Sequence, residues 1–399
     1  MTASAINSSA STPGPSKTPS PPSSSAVTPS PSSIQITHRS DRSLATHIIH
    51  TSLRTYRPIG QAFSRPGSPY PPGSPWLSPN ASWTDGCKLT ERHIEGIYVY
   101  DLVRSDDDAE DGTSPVDKSH HTSPPVERRI YFVAGGSWRQ PPTKEHWKFV
   151  SKLAYELPRT AISVISVPLA PRETAPTVYP RLLALYERAM ADAEANGERV
   201  IWAGDSSGGN IVLALIGEVL RIGRRGDTKT AIGLETEAEW RTDEQAPTEE
   251  REKKRPLPTP AALLLICPSV DAKRNNPEIA RIQKVDPVLD AEESQRHAAE
   301  WAGEWGLDDE RVSPVLSDKE DHVVKLLRER GVHVHGVTAG HDILGPDGIK
   351  LRNKLAKEGV EGKWLEWDKM MHCFSLAWFY GLPESKEALQ WIIDVLKGE

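Results

Sequence analysis

Short apolar runs alternate with amphipathic segments along most of this chain, and that alternation limits the fold more than any other feature. The apolar runs predict strands at Ile94–Val103, Arg129–Ala134, Ala161–Pro168, Arg199–Ala203, Ala261–Cys267, Val332–Thr338 and Lys363–Trp367. The amphipathic segments predict helices at Lys144–Leu157, Val178–Ala195, Gly209–Ile222, Ala291–Trp301, Lys319–Arg330, Gly348–Glu358 and Glu384–Leu396. In the second of these helices, Leu182, Leu185 and Ala189 recur at helical spacing. Strands separated by helices imply an α/β fold, with a mostly parallel central sheet covered by helices on both faces. Such sheets bind ligands beyond the carboxyl ends of their strands, so the chemistry is expected in the turns that lead into helices.

Three stretches fall outside the alternation. Residues 1–36 are dominated by Ser, Pro, Thr and Ala, too little apolar surface to offset the entropy of ordering, and read as a disordered tail. Residues 104–127 and 223–258 are charged or Ser/Pro-rich and read as polar surface insertions. The remainder, 37–399, is expected to be one α/β domain. Its 48 basic residues are scattered among 55 acidic ones, and no basic stripe forms, which argues against a nucleic-acid partner. The longest apolar run, Ala261–Cys267, is far too short to span a bilayer. No charged segment followed by an apolar core opens the chain, and three cysteines without a CxxC suit reduced thiols; the expectation is a cytoplasmic protein.

One turn between a predicted strand and helix reads Gly204-Asp205-Ser206-Ser207-Gly208-Gly209-Asn210 and contains G-x-S-x-G. A chain that passes this sharply from strand to helix strains the central residue and crowds the positions two before and two after it, hence glycine at both. The Ser206 hydroxyl would stand at a helix N-terminus, where free N–H groups favour developing negative charge. A serine hydroxyl needs a neighbouring base, and His372 follows the last predicted strand. Asp342 lies just past the preceding strand and would orient the imidazole. Asp347 is its rival, though it is expected to cap the helix at Gly348. His341, His333 and His335 read as structural, because no carboxylate or cysteine cluster accompanies them in sequence. The strand at Ile130 runs into Gly135-Gly136-Ser137-Trp138, a turn whose N–H groups, with that of Ser207, can surround an oxyanion.

Taken together, Ala134-Gly135-Gly136-Ser137-Trp138, GDSSGGN at 204–210, Gly340-His341-Asp342, Met371-His372-Cys373-Phe374 and Ser313-Pro314-Val315-Leu316 resemble the hormone-sensitive-lipase-like esterases, the α/β-hydrolase fold-3 group. The likeness runs from about residue 94 to the C-terminus. It implies the α/β-hydrolase fold with a small helical cap, placed at 42–90 and 271–309. It also implies a Ser206–Asp342–His372 triad, with oxyanion contacts from Gly135, Gly136, Ser137 and Ser207. The family usually has H-G-G-G before the tryptophan; here Ala134 and Ser137 stand at the outer positions, which bears on how firmly the oxyanion loop is held.

The expected reaction is hydrolysis of a small-molecule carboxylic ester, acetyl or lipid-like, through an acyl-enzyme, with no cofactor and no metal. Trp138 and Phe374 are expected to line the substrate pocket, with Trp301, Trp305 and Trp378 nearby in sequence. Three alternatives stay open: an arylformamidase acting on an amide, a small-ligand-binding protein of the same fold without turnover, and a scaffold acting through its polar segments. No oligomeric state is implied.

Overall fold

The computed structural model describes residues 1–2, 33–63, 68–105, 125–225 and 257–399. Most of the expected tail and of both polar insertions therefore lies outside the described residues. In the unit Ser32–Glu399 the elements run β1 (Ile34–Arg39), α1 (Leu44–Phe63), β2 (Cys87–Ile94), β3 (Ile97–Arg104), β4 (Arg128–Val133), α2 (Lys144–Glu156), β5 (Thr160–Ser166), α3 (Ala175–Asn196), β6 (Arg199–Asp205), α4 (Ser206–Arg225) and β7 (Ala262–Ile266). They continue with α5 (Ile279–Ile282), α6 (Ala291–Ala302), α7 (Val323–Glu329), β8 (His333–His341), α8 (Gly345–Glu358), β9 (Gly362–Met371) and α9 (Pro383–Lys397).

The strands form one sheet in the order β1-β9-β8-β7-β6-β4-β5-β3-β2. Every pairing from β1 to β5 is parallel, and only β3 and β2 run against their neighbours. The central strands β5 and β7 are buried at every position, as a sheet covered on both faces requires. Residues of β4 alternate between two cores. Ile130 and Phe132 pack with Phe149 and Val150 of α2 and Leu389 of α9, whereas Tyr131 and Val133 pack with Leu182 of α3 and Leu213 of α4. The β2–β3 hairpin turns on Glu95 and Gly96, both at positive φ (51° and 76°), the two-residue geometry that matches strand twist.

The predicted strands and helices are all present, with informative differences at their ends. β8 runs on to His341 and β9 to Met371, so Asp342 and His372 follow directly on strand ends. α4 begins at Ser206, with no residue between it and β6. α7 starts only at Val323, because the His322 side chain accepts the N–H of Lys325 and caps it. The boundary of the tail needs correction: Ile34–Ile36, expected to be disordered, begin β1 and pair with Gly362–Trp364 of β9. A sheet edge offers backbone partners whatever the side chains, and only Ile34 of β1 is buried. The segments expected to form a cap contain α1 within 42–90 and α5 and α6 within 271–309.

Candidate active site

The turn at Ser206 is built as its sequence demands. Ser206 has φ 52°, and a Cβ on Gly204 would lie 2.6 Å from the Gly208 carbonyl carbon. A Cβ on Gly208 would lie 2.0 Å from the Val133 oxygen, so β4 leaves room for hydrogen only. Downstream, Ser269 N–H donates to the Ser206 carbonyl at 3.0 Å, and Asn210 Nδ2 donates to the carbonyls of Ser269 (2.8 Å) and Val312 (2.9 Å). Ser206 is only 9% exposed.

Because β6, β8 and β9 are mutually parallel through β7, the residues after them share one edge of the sheet. His372 Nδ1 bonds Asp342 Oδ2 at 2.8 Å. Burial alone would lower the His372 pKa, but the charge and hydrogen bond of Asp342 outweigh it and raise the group to about 9. Asp342 Oδ1 in turn accepts the N–H of Leu344 at 2.9 Å. Nε2 of His372 lies 3.4 Å from Cys373 Sγ, and that thiol also donates to Asp205 Oδ2 at 3.6 Å. His372 is thereby tied to the residue that precedes Ser206.

Asp205 is the hub that sequence reasoning missed. Its buried carboxylate accepts Gly135 N–H at 2.9 Å and meets His146 Nε2 of α2 at 3.3 Å. Burial pushes its pKa up, but His146 and the Gly135 N–H hold it below the ordinary value. The Gly135 N–H is thus engaged, which removes it from the expected oxyanion donors. Trp138 N–H is engaged as well, by Ser207 Oγ at 3.2 Å. Gly136, Ser137 and Trp138 all have positive φ (134°, 54° and 58°), which turns this loop back beside the start of α4. The order that a histidine at position 134 would supply comes here from Asp205 and His146. Only Asp205 lies in a recognisable motif; His146 sits 59 residues away and has no sequence signal.

Other expectations are corrected. Asp347 does not cap α8: its carboxylate accepts Asn276 Nδ2 at 2.9 Å within the first turn. Trp138 and Phe374, expected to line a pocket, are core side chains at 4% and 1% exposure. Trp138 stacks on Trp301 (centroids 6.4 Å, planes 13° apart), and Phe374 meets Trp367 edge-on at 5.6 Å. Large rings on tight turns gain more by filling the core than by facing solvent. His333 and His335 do have a carboxylate, since α9 brings Glu399 Oε1 to 3.0 Å from each. A further buried carboxyl, Asp286, accepts Ile343 N–H at 2.9 Å; burial and the charge of Asp342 push it up to about 6.

A family model described as alpha/beta hydrolase fold matches residues 130–376, more than half of the chain. The chain belongs to the α/β-hydrolase fold-3 family. This family member is also similar to solved esterase structures, at an identity that bears on fold alone. A carboxyl esterase from the mycorrhizal fungus Tuber melanosporum has 16% identity and a TM-score of 0.63, covering 90% of this chain and 99% of that one. An esterase from the bacterial hormone-sensitive lipase family has 16% identity and a TM-score of 0.62, with the same coverage. EstE5, solved after soaking with p-nitrophenyl butyrate, has 17% identity and a TM-score of 0.60, covering 89% and 98%. No curated protein matches the chain at a significant level. Among the described residues no helix of this α/β-hydrolase is long and apolar enough to cross a membrane.

Proposed function

We propose that the chain is a serine hydrolase that cleaves small carboxylic esters through an acyl-enzyme. The observation that carries this reading is a positive-φ serine at a strand–helix junction, on the same sheet edge as a histidine whose other nitrogen is held by a buried aspartate at 2.8 Å. His372 takes the Ser206 proton as Oγ attacks the ester carbon, and Asp342 fixes the tautomer and stabilises the imidazolium. In the present conformation Nε2 rests against Cys373 Sγ, so the transfer needs the imidazole to turn from thiol to hydroxyl. The oxyanion is received by N–H groups of Gly136, Ser137 and Ser207, a set that now excludes Gly135. His372 then protonates the departing alcohol, and a water molecule repeats the sequence to release the acid. Segment 271–309 acts as the cap, with Asp286 bonded to the turn after β8 and Trp301 stacked on the oxyanion loop.

The test is labelling by a fluorophosphonate, comparing the wild type with Ser206→Ala, followed by p-nitrophenyl butyrate and formanilide as substrates. Labelling that vanishes in the variant, with turnover of the ester, is expected. A folded wild type that neither labels nor turns over either substrate would sink the proposal, and formanilide turnover alone would move it to an amidase.

A further inference from the structure

Cys267 and Cys373 are far apart in sequence, yet the turns after β7 and β9 bring them to the same place. Cys267 is buried and has φ 44°, held by its N–H bond to the Val337 carbonyl at 2.8 Å. Cys373 has φ 50° and opens the 3-10 turn Phe374–Tyr380. Both are free thiols. The two Sγ atoms and one ring nitrogen of His372 all lie within 4.8 Å of one another.

Three soft or borderline donors at such separations suit a thiophilic ion. A tetrahedral zinc with Zn–S of about 2.3 Å and Zn–N of about 2.0–2.1 Å has an S···N edge of about 3.5 Å. The Cys373 Sγ to His372 Nε2 separation is 3.4 Å. His372 also has the supporting contact that metal-bound imidazoles use, because Nδ1 is held by Asp342 and Nε2 faces the thiols. A simple S–H···N contact accounts for the 3.4 Å separation alone, but not for a second buried thiol converging on the same nitrogen. Glu399 with His333 and His335 is the other cluster of ligand type among the described residues, and the nearby Arg199 guanidinium already balances its carboxylate at 3.2 Å.

We propose that Cys267 Sγ, Cys373 Sγ and His372 Nε2 form a three-ligand site for a thiophilic divalent cation such as zinc or cadmium, and that filling it inhibits the enzyme. Binding converts both thiols to thiolates, whose two negative charges match the ion's two positive ones, and below about pH 9 it also displaces the Nε2 proton of the imidazolium, so three protons are released in all. The ion occupies the nitrogen that would receive the Ser206 proton. The binding half stands on the ligand geometry; the inhibitory half rests on the proposed serine hydrolase mechanism.

The experiment uses the full chain, kept reduced with a phosphine and titrated with cadmium while the ultraviolet sulfur-to-cadmium charge-transfer band is followed. One equivalent is expected to saturate the band. Cys267→Ala and Cys373→Ser should each weaken binding at least about tenfold, whereas Cys87→Ala, whose thiol donates instead to the Ser151 carbonyl, keeps it. The Glu399 cluster has no sulfur and gives no such band. Absence of the band in folded, fully reduced protein overturns the site, as does a band that persists unchanged in Cys267→Ala and Cys267→Ser. In parallel, fluorophosphonate labelling is measured with and without zinc, and each variant is compared with itself. Labelling that falls with zinc, returns with a chelator and needs at least about tenfold more zinc in Cys267→Ala supports inhibition. A saturated band with undiminished labelling overturns the inhibitory half. A wild type that never labels overturns the hydrolase reading, and the band still judges the site.

Discussion

His372 is subject to opposed influences that set how the proposed chemistry depends on pH. Burial favours the neutral imidazole, but Asp342, through its charge and hydrogen bond, favours the cation more and raises the group to about 9. A general base must be neutral to accept the Ser206 proton, so kcat/KM should rise with pH and level off only above about 9. A profile of p-nitrophenyl butyrate hydrolysis between pH 6 and 10 checks this, and a flat profile would contradict it. In Asp342→Asn the raising influence is gone, so the midpoint should move to lower pH. The plateau should also fall by roughly 10³–10⁴-fold, because the amide favours the wrong tautomer. The positions of Ser206, Asp342 and His372 were legible because each directly follows a strand of a parallel sheet, where side chains are presented outward. Cys267 and Cys373 were not, since nothing in local spacing shows that two thiols separated by two strands and four helices meet at one imidazole.

Elements rather than single residues hold the proposed oxyanion loop. β4 delivers Gly135 to Asp205 at the end of β6, α2 delivers His146 to the same carboxylate, and α4 delivers Ser207 Oγ to Trp138 N–H. His146→Ala leaves one side of a buried carboxylate unsatisfied, at a cost of about 1–3 kcal/mol. Its kcat should fall more than its KM rises, because a loosened loop misplaces donors that act on the transition state. Denaturant unfolding and steady-state kinetics on the same preparation separate the two effects; unchanged stability and unchanged kcat would show that Gly135 and Cys373 suffice. Gly208→Ala is a harsher change, since its Cβ would sit 2.0 Å from the Val133 oxygen and force β4 and α4 apart. It should yield little folded protein, as judged by thermal unfolding. The central elements were readable from apolar runs because strands covered on both faces admit little else. β1 escaped because Ile34-Gln-Ile-Thr-His-Arg39 joins an edge through its backbone, with four of its six residues exposed.

At the scale of the whole molecule, the edge of the sheet opposite the proposed active site is closed by the Glu399 side chain, which follows α9. α9 returns Glu399 to the start of β8, where its carboxylate meets His333 Nδ1 (3.0 Å), His335 Nε2 (3.0 Å) and an Arg199 amine of β6 (3.2 Å). Lys363 N–H donates to His335 Nδ1 at 3.1 Å, which leaves Nε2 as the protonated nitrogen that donates to Glu399. One carboxylate thus joins α9 to β6 and β8, and through His335 to β9. Burial raises its pKa, but the hydrogen bonds from both histidines outweigh this and lower it from 4.5 to about 2. A carboxyl depressed on folding stabilises the native state above its unfolded pKa, and the contribution is lost as pH falls through the folded one. The stability gap between the wild type and Glu399→Gln should therefore be full above about pH 5 and should narrow steadily from pH 4.5 towards pH 2. Unfolding midpoints in denaturant at a series of pH values measure that gap directly. A gap of equal size at every pH would mean that Glu399 contributes through packing, and that the cluster is no electrostatic clasp.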